Sequence, residues 1–424
     1  MLSRLPLQIG RLHYAWIVAA TTFLVLIIAA GVRSTPGVLM LPIERQMGWS
    51  AQTVSAAAAI NIALFGLIGP FAAALMQTFG VRRTMTLGLA LVSVSVAIAG
   101  FAREPWQLIV TYGIGAGTGL GMLAMVLAAT IANRWFVAQR GIVMGALMAA
   151  TATGQLIFLP VLAQAAEHVG WRAATWIVAT AALVTIVPVI ALVRDRPSDV
   201  GLMAVGATES SNVPVRGGNP IAIALASLRR ASASPSFWIL AGTFFICGAS
   251  TNGLIGTHFI AACGDHGIAE IPAASMLAAM GIFDLIGTTA SGWLSDRVDN
   301  RVLLFVYYGL RGLSLLALPF ALDASFGGLW IFAVFYGLDW IATVPPTVRL
   351  ATQAFGAEEG PIVYGWIGAA HQLGAGAIAF GAGSIRTIFA SYTPAFQISG
   401  LLCLAAAFAV LAFRRAPHVV PATA

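Results

Sequence analysis

Two aspartates interrupt one long apolar stretch of this sequence. Residues 279–297 read AMGIFDLIGTTASGWLSDR, which places Asp284 twelve positions before Asp296. Along a helix, twelve residues cover about 18 Å. If Asp296 lies at the end of a membrane-spanning helix, Asp284 lies near the middle of a hydrocarbon layer roughly 30 Å thick. An ionisable group at that depth is costly unless it is paired or hydrated, so we predict that Asp284 is a proton carrier.

Arg311 is a candidate partner for Asp284. It follows Arg301 by ten residues, which is about 15 Å along a helix, so it is level with Asp284 on the neighbouring span. Two interpretations stay open. The charges could form a structural salt bridge that fixes helix register, or a substrate or proton could compete for the arginine during proton coupling.

Arg33 and His371 are further ionisable candidates inside apolar stretches. The Arg33 guanidinium offers a bidentate fork for a carboxylate, and Pro36 and Gly37 loosen the helix beside it. In the alternative interpretation, the Arg33 side chain extends to the membrane interface and binds no substrate. His371 could change its charge near neutral pH and take part in proton coupling and substrate binding, or it could be a hydrogen-bonded packing residue. Its neighbour Gln372 is a weaker candidate.

Other polar side chains also lie in apolar stretches: Asn61, Tyr112, Gln155, Asn252, His258, Thr288 and Asp339. Each could hydrogen-bond a substrate, although most polar residues of a helical bundle serve helix–helix contacts. Besides Arg33, His371 and Gln372, the predicted substrate site contains Asn61, Tyr112, Gln155, His258 and Thr288. Asp339 is also favoured because its side chain is ionisable.

The composition explains where these residues must lie. Hydrophobic residues make up 59% of 424 positions and charged residues only 9%, which indicates an integral membrane protein. Apolar stretches long enough for spanning helices recur throughout. We predict twelve, at about 14–42, 51–76, 84–103, 106–132, 139–165, 171–193, 236–262, 271–295, 301–322, 326–350, 361–388 and 392–413. The first is expected to remain as a membrane anchor because it is too long for a signal peptide.

All 22 basic residues are arginine, which excludes lysine Schiff-base chemistry. On the span map, sixteen arginines fall at the termini and in the loops on one side, four on the other side and two within spans. By the positive-inside rule, both termini are cytoplasmic in a multi-pass protein of the cytoplasmic (inner) membrane. The net charge of +7 therefore needs no nucleic acid to explain it.

A polar segment rich in Pro, Gly and Ser divides the spans into two sets of six. We predict an N-terminal six-helix bundle at 1–194, a cytoplasmic linker at 195–235 and a C-terminal six-helix bundle at 236–424. The end of the linker could form an amphipathic helix carrying Arg229 and Arg230. The stretches LMQTFGVRR (75–83) and LSDRVDNR (294–301) match each other, which indicates an internal repeat.

At these stretches the chain resembles the major facilitator superfamily, whose loop signature is Gly-x-Leu-x-Asp-Arg-x-Gly-x-Arg-Arg. The second copy keeps the acid, as Asp296, whereas the first has Gln77 in its place. The resemblance implies an all-α membrane fold of twelve transmembrane helices in two pseudo-symmetric six-helix bundles. It also implies that the loop residues latch the cytoplasmic helix ends. The residues expected to gate are Arg82, Arg83, Asp296, Arg297 and Arg301.

IANRWFVAQRGIVMG (131–145) and GVLMLPIERQMGWS (37–50) resemble the monocarboxylate porter and oxalate/formate antiporter branch. Monocarboxylate porters carry an Asp and, four residues later, an Arg on the eighth helix. Asp284 matches the Asp, but Thr288 occupies the Arg position. The resemblance places Arg33 close to substrate, and it puts His371 where oxalate/formate antiporters have an essential lysine.

We therefore expect a secondary active transporter, not an enzyme, that moves a small organic anion such as lactate or pyruvate with protons. Its expected partners are the anion, protons and the lipid bilayer; we expect a monomer that needs no cofactor beyond the proton gradient. Because Thr288 replaces the arginine, a larger, weakly charged metabolite, vitamin or drug is the alternative. A membrane-embedded enzyme is disfavoured because its best metal cluster, CGDH (263–266), fits no established zinc spacing.

Overall fold

The chain forms a bundle of long helices. The computed structural model describes residues 13–123, 125–207, 219–324 and 326–413. The N-terminal half contains α1 (Tyr14–Met47), α2 (Ala51–Thr78), α3 (Val81–Ala99), α4 (Pro105–Trp135), α5 (Arg140–His168) and α6 (Trp171–Leu192). A short helix, α7 (Pro220–Ala231), precedes the C-terminal half. That half contains α8 (Pro235–Asp265), α9 (Glu270–Ser295), α10 (Asn300–Ala324), α11 (Phe326–Asp339), α12 (Val344–Phe389) and α13 (Thr393–Leu411).

Within the described residues, eleven helices are long and apolar enough to cross a membrane. The tenth predicted span consists of α11, a turn at 340–343 and the first part of α12. Gly356, with φ 79° and ψ 169°, breaks α12, and the part after it corresponds to the eleventh predicted span. The twelve-helix fold in two bundles is therefore confirmed, although a turn interrupts the tenth predicted span and its connection to the eleventh is helical apart from Gly356.

Local sequence explains where the first helices end. Gly48 ends α1 with a left-handed backbone (φ 67°), a conformation that costs glycine no steric strain. Two residues later the Ser50 hydroxyl accepts a hydrogen bond from the Thr53 amide and caps α2. Many large apolar side chains face outward along the helices, for example Phe320 at 75% exposure, as expected of surfaces that contact lipid.

Three helix pairs join the halves: α1 packs against α8, α2 against α12, and α5 against α9. Glycine permits this close approach, since a Cβ on Gly376 of α12 would lie 2.8 Å from the carbonyl oxygen of Ala59 in α2. The loops at 79–80, 136–139 and 296–299 lie at one end, which we call the arginine-rich end. The loops at 48–50, 169–170, 266–269 and 390–392 form the opposite end.

Two spans contain a π-helical segment: Ile109–Ala116 in α4 and Ala249–Ile255 in α8. A π turn widens the helix by one residue and commonly occurs at functional sites. Both segments lie beside residues of the cavity described below. Arg4, Arg11, Arg216, Arg414 and Arg415, which contributed to the predicted orientation, lie outside the described residues.

Candidate functional site

A cavity lies between the two halves. The room that it leaves for the centres of water-sized molecules is about 40 Å³. Its lining comes from both halves: Arg33, Ser34, Pro36, Asn61, Ile62, Gln155, Leu159, Asn252, Gly256, Thr257, Leu277 and Trp340. Three of the predicted substrate residues, Arg33, Asn61 and Gln155, therefore line one space. A polar cluster with an apolar wall is typical of small-molecule sites.

Arg33 is the cation of this cavity. Its guanidinium lies over the ring of Phe65, 4.4 Å from the ring centroid. Within the described part of the chain, no carboxylate lies within ion-pair distance of Arg33. Among the described residues the Arg33 charge therefore has no carboxylate counterion, which suits a site for an anionic ligand.

Asn61 and Tyr112 support the helix that carries Arg33. The Tyr112 hydroxyl donates to the carbonyl oxygen of Val32 over 2.7 Å, and the Asn61 side-chain amide donates to the carbonyl oxygen of Tyr112 over 2.8 Å. These two bonds connect α1, α2 and the π-helical segment of α4. Asn61 reaches the cavity, whereas Tyr112 is buried behind Arg33 and positions its backbone.

The other predicted substrate residues lie outside the cavity lining. His258 is fully buried, where its ring nitrogens bond the Tyr392 hydroxyl (3.0 Å) and the carbonyl oxygen of Ala379 (2.8 Å). His371 packs its ring against Phe244, with ring centroids 4.7 Å apart. Gln372 packs against Gly66 at the seam of α2 and α12.

Arg311 pairs with Asp339, and not with Asp284 as the depth argument suggested. Its Nε donates to Asp339 Oδ2 over 2.6 Å, Nη1 to Cys247 Sγ over 2.9 Å, and Nη2 to the carbonyl oxygens of Asp339 and Trp340. The guanidinium thereby spans α8, α10 and the end of α11. Asp339 Oδ1 is buried with no hydrogen-bond partner among the described residues.

Asp284 instead holds the turn at 340–343. Its Oδ1 accepts from the Ile341 amide over 2.9 Å and from the Thr288 hydroxyl over 3.0 Å. The Ser291 hydroxyl donates to the carbonyl oxygen of Ala342. The turn leaves backbone groups without helical partners, and side chains of α9 and α10 supply them. Thr288 therefore hydrogen-bonds Asp284 and is not among the residues that line the cavity.

The predicted gating residues lie at the arginine-rich end, and the contacts described for Arg82, Asp296, Arg297 and Arg301 stay within their own half. The Arg82 amide donates to Asp195 Oδ1 over 2.9 Å, while the Arg83 side chain is exposed. Asp296 forms an ion pair with Arg349, a partner that the sequence motif did not indicate. Arg297 stacks on Trp293 at 4.2 Å, and Arg301 binds Asp299 at 2.7 Å.

Ion pairs between the halves occur at the opposite end of the described structure. Arg386 of α12 bonds Glu44 of α1 at 2.6 Å and Asp265 of α8 at 2.7 Å. Arg45 of α1 bonds Glu270 of α9 at 2.7 Å. We call these five residues the end cluster.

Sequence reasoning missed the end cluster because each charge stands at a helix terminus, where a solvated side chain is the ordinary expectation. Two members of the CGDH stretch are engaged here as well: Asp265 binds Arg386, and His266 lies 3.1 Å from Asp323. Cys263 is fully buried.

Two helical bundles around a polar central cavity define a membrane transporter of the facilitator type. The family model of the Major Facilitator Superfamily matches residues 22–379 and 265–424, and the chain belongs to this superfamily. It is similar to the MFS-type transporter YcxA of Bacillus subtilis, with 25% identity over 80% of each chain. It is also similar to monocarboxylate transporter 13 of Bos taurus, with 27% identity over 92% of this chain and 87% of the relative.

The fold also matches solved structures. A bacterial homologue of the human lysosomal transporter Spinster, in an inward-facing and unoccupied conformation, superposes with a TM-score of 0.74. The match covers 96% of this chain and 100% of that one at 15% identity, so it concerns the fold alone.

Proposed function

We propose that the protein moves a small organic anion, a monocarboxylate such as lactate or pyruvate, together with protons by alternating access. The observation that carries the proposal is Arg33. It is a guanidinium in the cavity between the halves, without a carboxylate partner in the described structure. Such a fork binds a carboxylate through two parallel hydrogen bonds. The similarity to monocarboxylate transporters supports the same class of substrate.

Asp284 and Asp339 are the proposed proton carriers in the C-terminal half. Both are buried, and both border the turn at 340–343. One oxygen of Asp339 is unpartnered, which leaves a place where a proton can bind. Because Arg311 bonds both the side chain and the backbone of Asp339, a proton on this carboxylate weakens the hold of α10 on the turn. His371 of α12, whose ring packs against Phe244 of α8, is a further proposed proton-binding group.

The proposed setting is the cytoplasmic membrane, with the arginine-rich end and both termini on the cytoplasmic side. In this orientation the end cluster closes the outer side, and the proposed path of substrate to Arg33 is from the cytoplasm. We propose that a monomer suffices and that the proton gradient is the energy source, without a bound cofactor and without enzymatic chemistry.

A larger, weakly charged metabolite is the second candidate substrate. The apolar part of the cavity lining favours it: Ile62, Leu159, Leu277 and Trp340. Such a compound, moved by proton exchange, would gain most of its affinity from these side chains and little from Arg33.

Uptake of labelled L-lactate into proteoliposomes tests the proposal. An imposed gradient, acidic on the side from which lactate enters, should stimulate uptake, and Arg33→Gln should reduce lactate binding about 10- to 100-fold, the range for a lost charged hydrogen bond. The matched control is Arg172→Gln, which removes an arginine stacked on Trp171 away from the cavity. Lactate binding that is equal in wild type and Arg33→Gln would refute the site and favour the second candidate.

A further inference from the structure

The helices α1 and α8 meet at two glycines. A Cβ built on Gly37 of α1 would lie 2.8 Å from the carbonyl oxygen of Gly256 in α8, so the two backbones are in contact. Arg33 precedes Gly37 by four residues, and Asn252 precedes Gly256 by four residues. Four residues are about one helical turn, or about 6 Å. Both side chains therefore lie one turn from the same crossing, and both line the cavity.

These two positions are equivalent in the internal repeat. The first helix of each half is α1 in one and α8 in the other, and both run from the arginine-rich end toward the opposite end. The stretches GVRSTPG (31–37) and STNGLIG (250–256) align on their final glycines, which brings Arg33 opposite Asn252. The N-terminal half thus presents a cation and the C-terminal half an amide.

The amide of Asn252 is free, whereas the hydroxyls around it are not. In the π-helical segment, the Ser250 and Thr251 hydroxyls donate to the carbonyl oxygen of Cys247. The Thr257 hydroxyl donates to the carbonyl oxygen of Asn252 itself over 2.8 Å, and the Tyr336 hydroxyl donates to that of Ser250. The wide turn is therefore satisfied without the Asn252 side chain, which has no hydrogen-bond partner in the described part of the chain.

We propose that Asn252 is the substrate-binding residue of the C-terminal half, and that its amide bonds an oxygen substituent adjacent to the carboxylate held by Arg33. This inference rests on the proposed binding of a small organic anion at Arg33. An amide both donates and accepts, so it serves a hydroxyl and a carbonyl oxygen alike. A 2-hydroxy or 2-oxo acid then contacts both halves, whereas an unsubstituted acid contacts only the N-terminal half. Asn252 thereby selects substrates and couples their binding to the approach of the halves.

Equilibrium binding of L-lactate and of propionate to the purified full-length protein tests this inference. The two acids differ only in the 2-hydroxyl group. Wild type should bind lactate about 3- to 10-fold more tightly, the range for one hydrogen bond. Asn252→Leu, of similar volume, should lower lactate affinity to that of propionate and leave propionate unchanged. Asn252→Ala, which adds no branched side chain, should have the same effect. It provides the test if the leucine variant folds poorly.

Asn300→Ala is the matched control. It also removes a buried asparagine, which donates to the carbonyl oxygen of Ser295 at the arginine-rich end, away from the cavity. This variant should keep the preference for lactate. Equal affinity of wild type for both acids, or a lactate preference that survives both changes at Asn252, would overturn the inference while leaving Arg33 as the anion site. Failure of wild type to bind either acid would instead refute the proposed function, and the inference with it.

Discussion

Arg311 and Asp339 form a buried ion pair inside the C-terminal half, with 2.6 Å between Nε and Oδ2. The arginine side chain has no exposed surface. Removing one member of such a pair leaves an uncompensated charge in a dry environment, whereas removing both members does not. The effect on stability of replacing either residue therefore depends on whether the other is still present.

We expect Arg311→Met to lower the free energy of unfolding by about 3–5 kcal/mol, because Asp339 is left buried without a cation. The double variant with Asp339→Leu should recover most of this loss. Thermal unfolding of the detergent-solubilised protein measures both. The control is Arg230→Ala at the exposed Arg230–Glu359 pair, which should cost about 0–1 kcal/mol. An Arg311→Met protein as stable as wild type would show that the pair does not hold the helices.

Asp284→Asn should separate transport from proton coupling. The amide oxygen of asparagine can still accept from the Ile341 amide, so the turn at 340–343 should persist, but the side chain can no longer gain or lose a proton. We expect exchange of labelled for unlabelled lactate to continue while stimulation by a proton gradient disappears.

Proteoliposomes made with wild type and with each variant allow both measurements. Asp323→Asn is the control for Asp284→Asn, since the Asp323 side chain is 72% exposed and lies at the opposite end. Undiminished gradient-driven uptake by Asp284→Asn would mean that another group carries the proton.

Arg386→Gln should allow the two halves to separate at the end of the protein where the end cluster lies. Arg386 bonds α1 through Glu44 and α8 through Asp265, so its loss removes a charged link between the halves. Spin labels at Gln46→Cys and Ala269→Cys, on exposed positions of that end, should report a longer distance in a larger fraction of molecules. Arg172→Gln at the same end should leave the distances unchanged, because the Arg172 side chain bonds Met47 and the carbonyl oxygen of Ala102 within its own half. Identical distance distributions in wild type and Arg386→Gln would contradict a closing role.

Gly37→Ala should interfere with the crossing of α1 and α8. The added methyl group would lie 2.8 Å from the Gly256 carbonyl oxygen, closer than such atoms can approach, so one helix must move. We expect slower lactate exchange and a lower thermal unfolding midpoint. Gly242→Ala in α8 is the control, since no atom lies within 4 Å of the added group. A Gly37→Ala protein that matches the control in both measurements would show that close contact there is dispensable.

The fold and part of the site follow directly from sequence. Apolar length located the spans, and the polar residues selected within those spans include Arg33, Asn61 and Gln155, which line the cavity. Depth cannot give the direction of a side chain around its helix. Asp284 and Arg311 are both buried, but Arg311 faces the end of α11, where its guanidinium bonds the backbone carbonyl oxygens of Asp339 and Trp340.

The same limit applies to the histidines and to Asn252. His258 and His371 were selected for their chemistry, but His258 turns away from the cavity toward Ala379 and His371 packs on Phe244. Asn252 stood among several polar residues in spans, and its place in the cavity lining and the contact of Gly37 with Gly256 distinguish it. Comparing the two halves around their glycines would have pointed to it from sequence.

The short helix α7 contacts both halves, and the side-chain bonds described for it run to α12. The Trp366 indole donates to the carbonyl oxygen of Ala224 over 3.0 Å and Arg230 binds Glu359, which fixes α7 to α12. Against α2 it merely packs. In the proposed alternating-access cycle, α7 therefore stays with α12, and its packing against α2 is the contact that changes when the halves move.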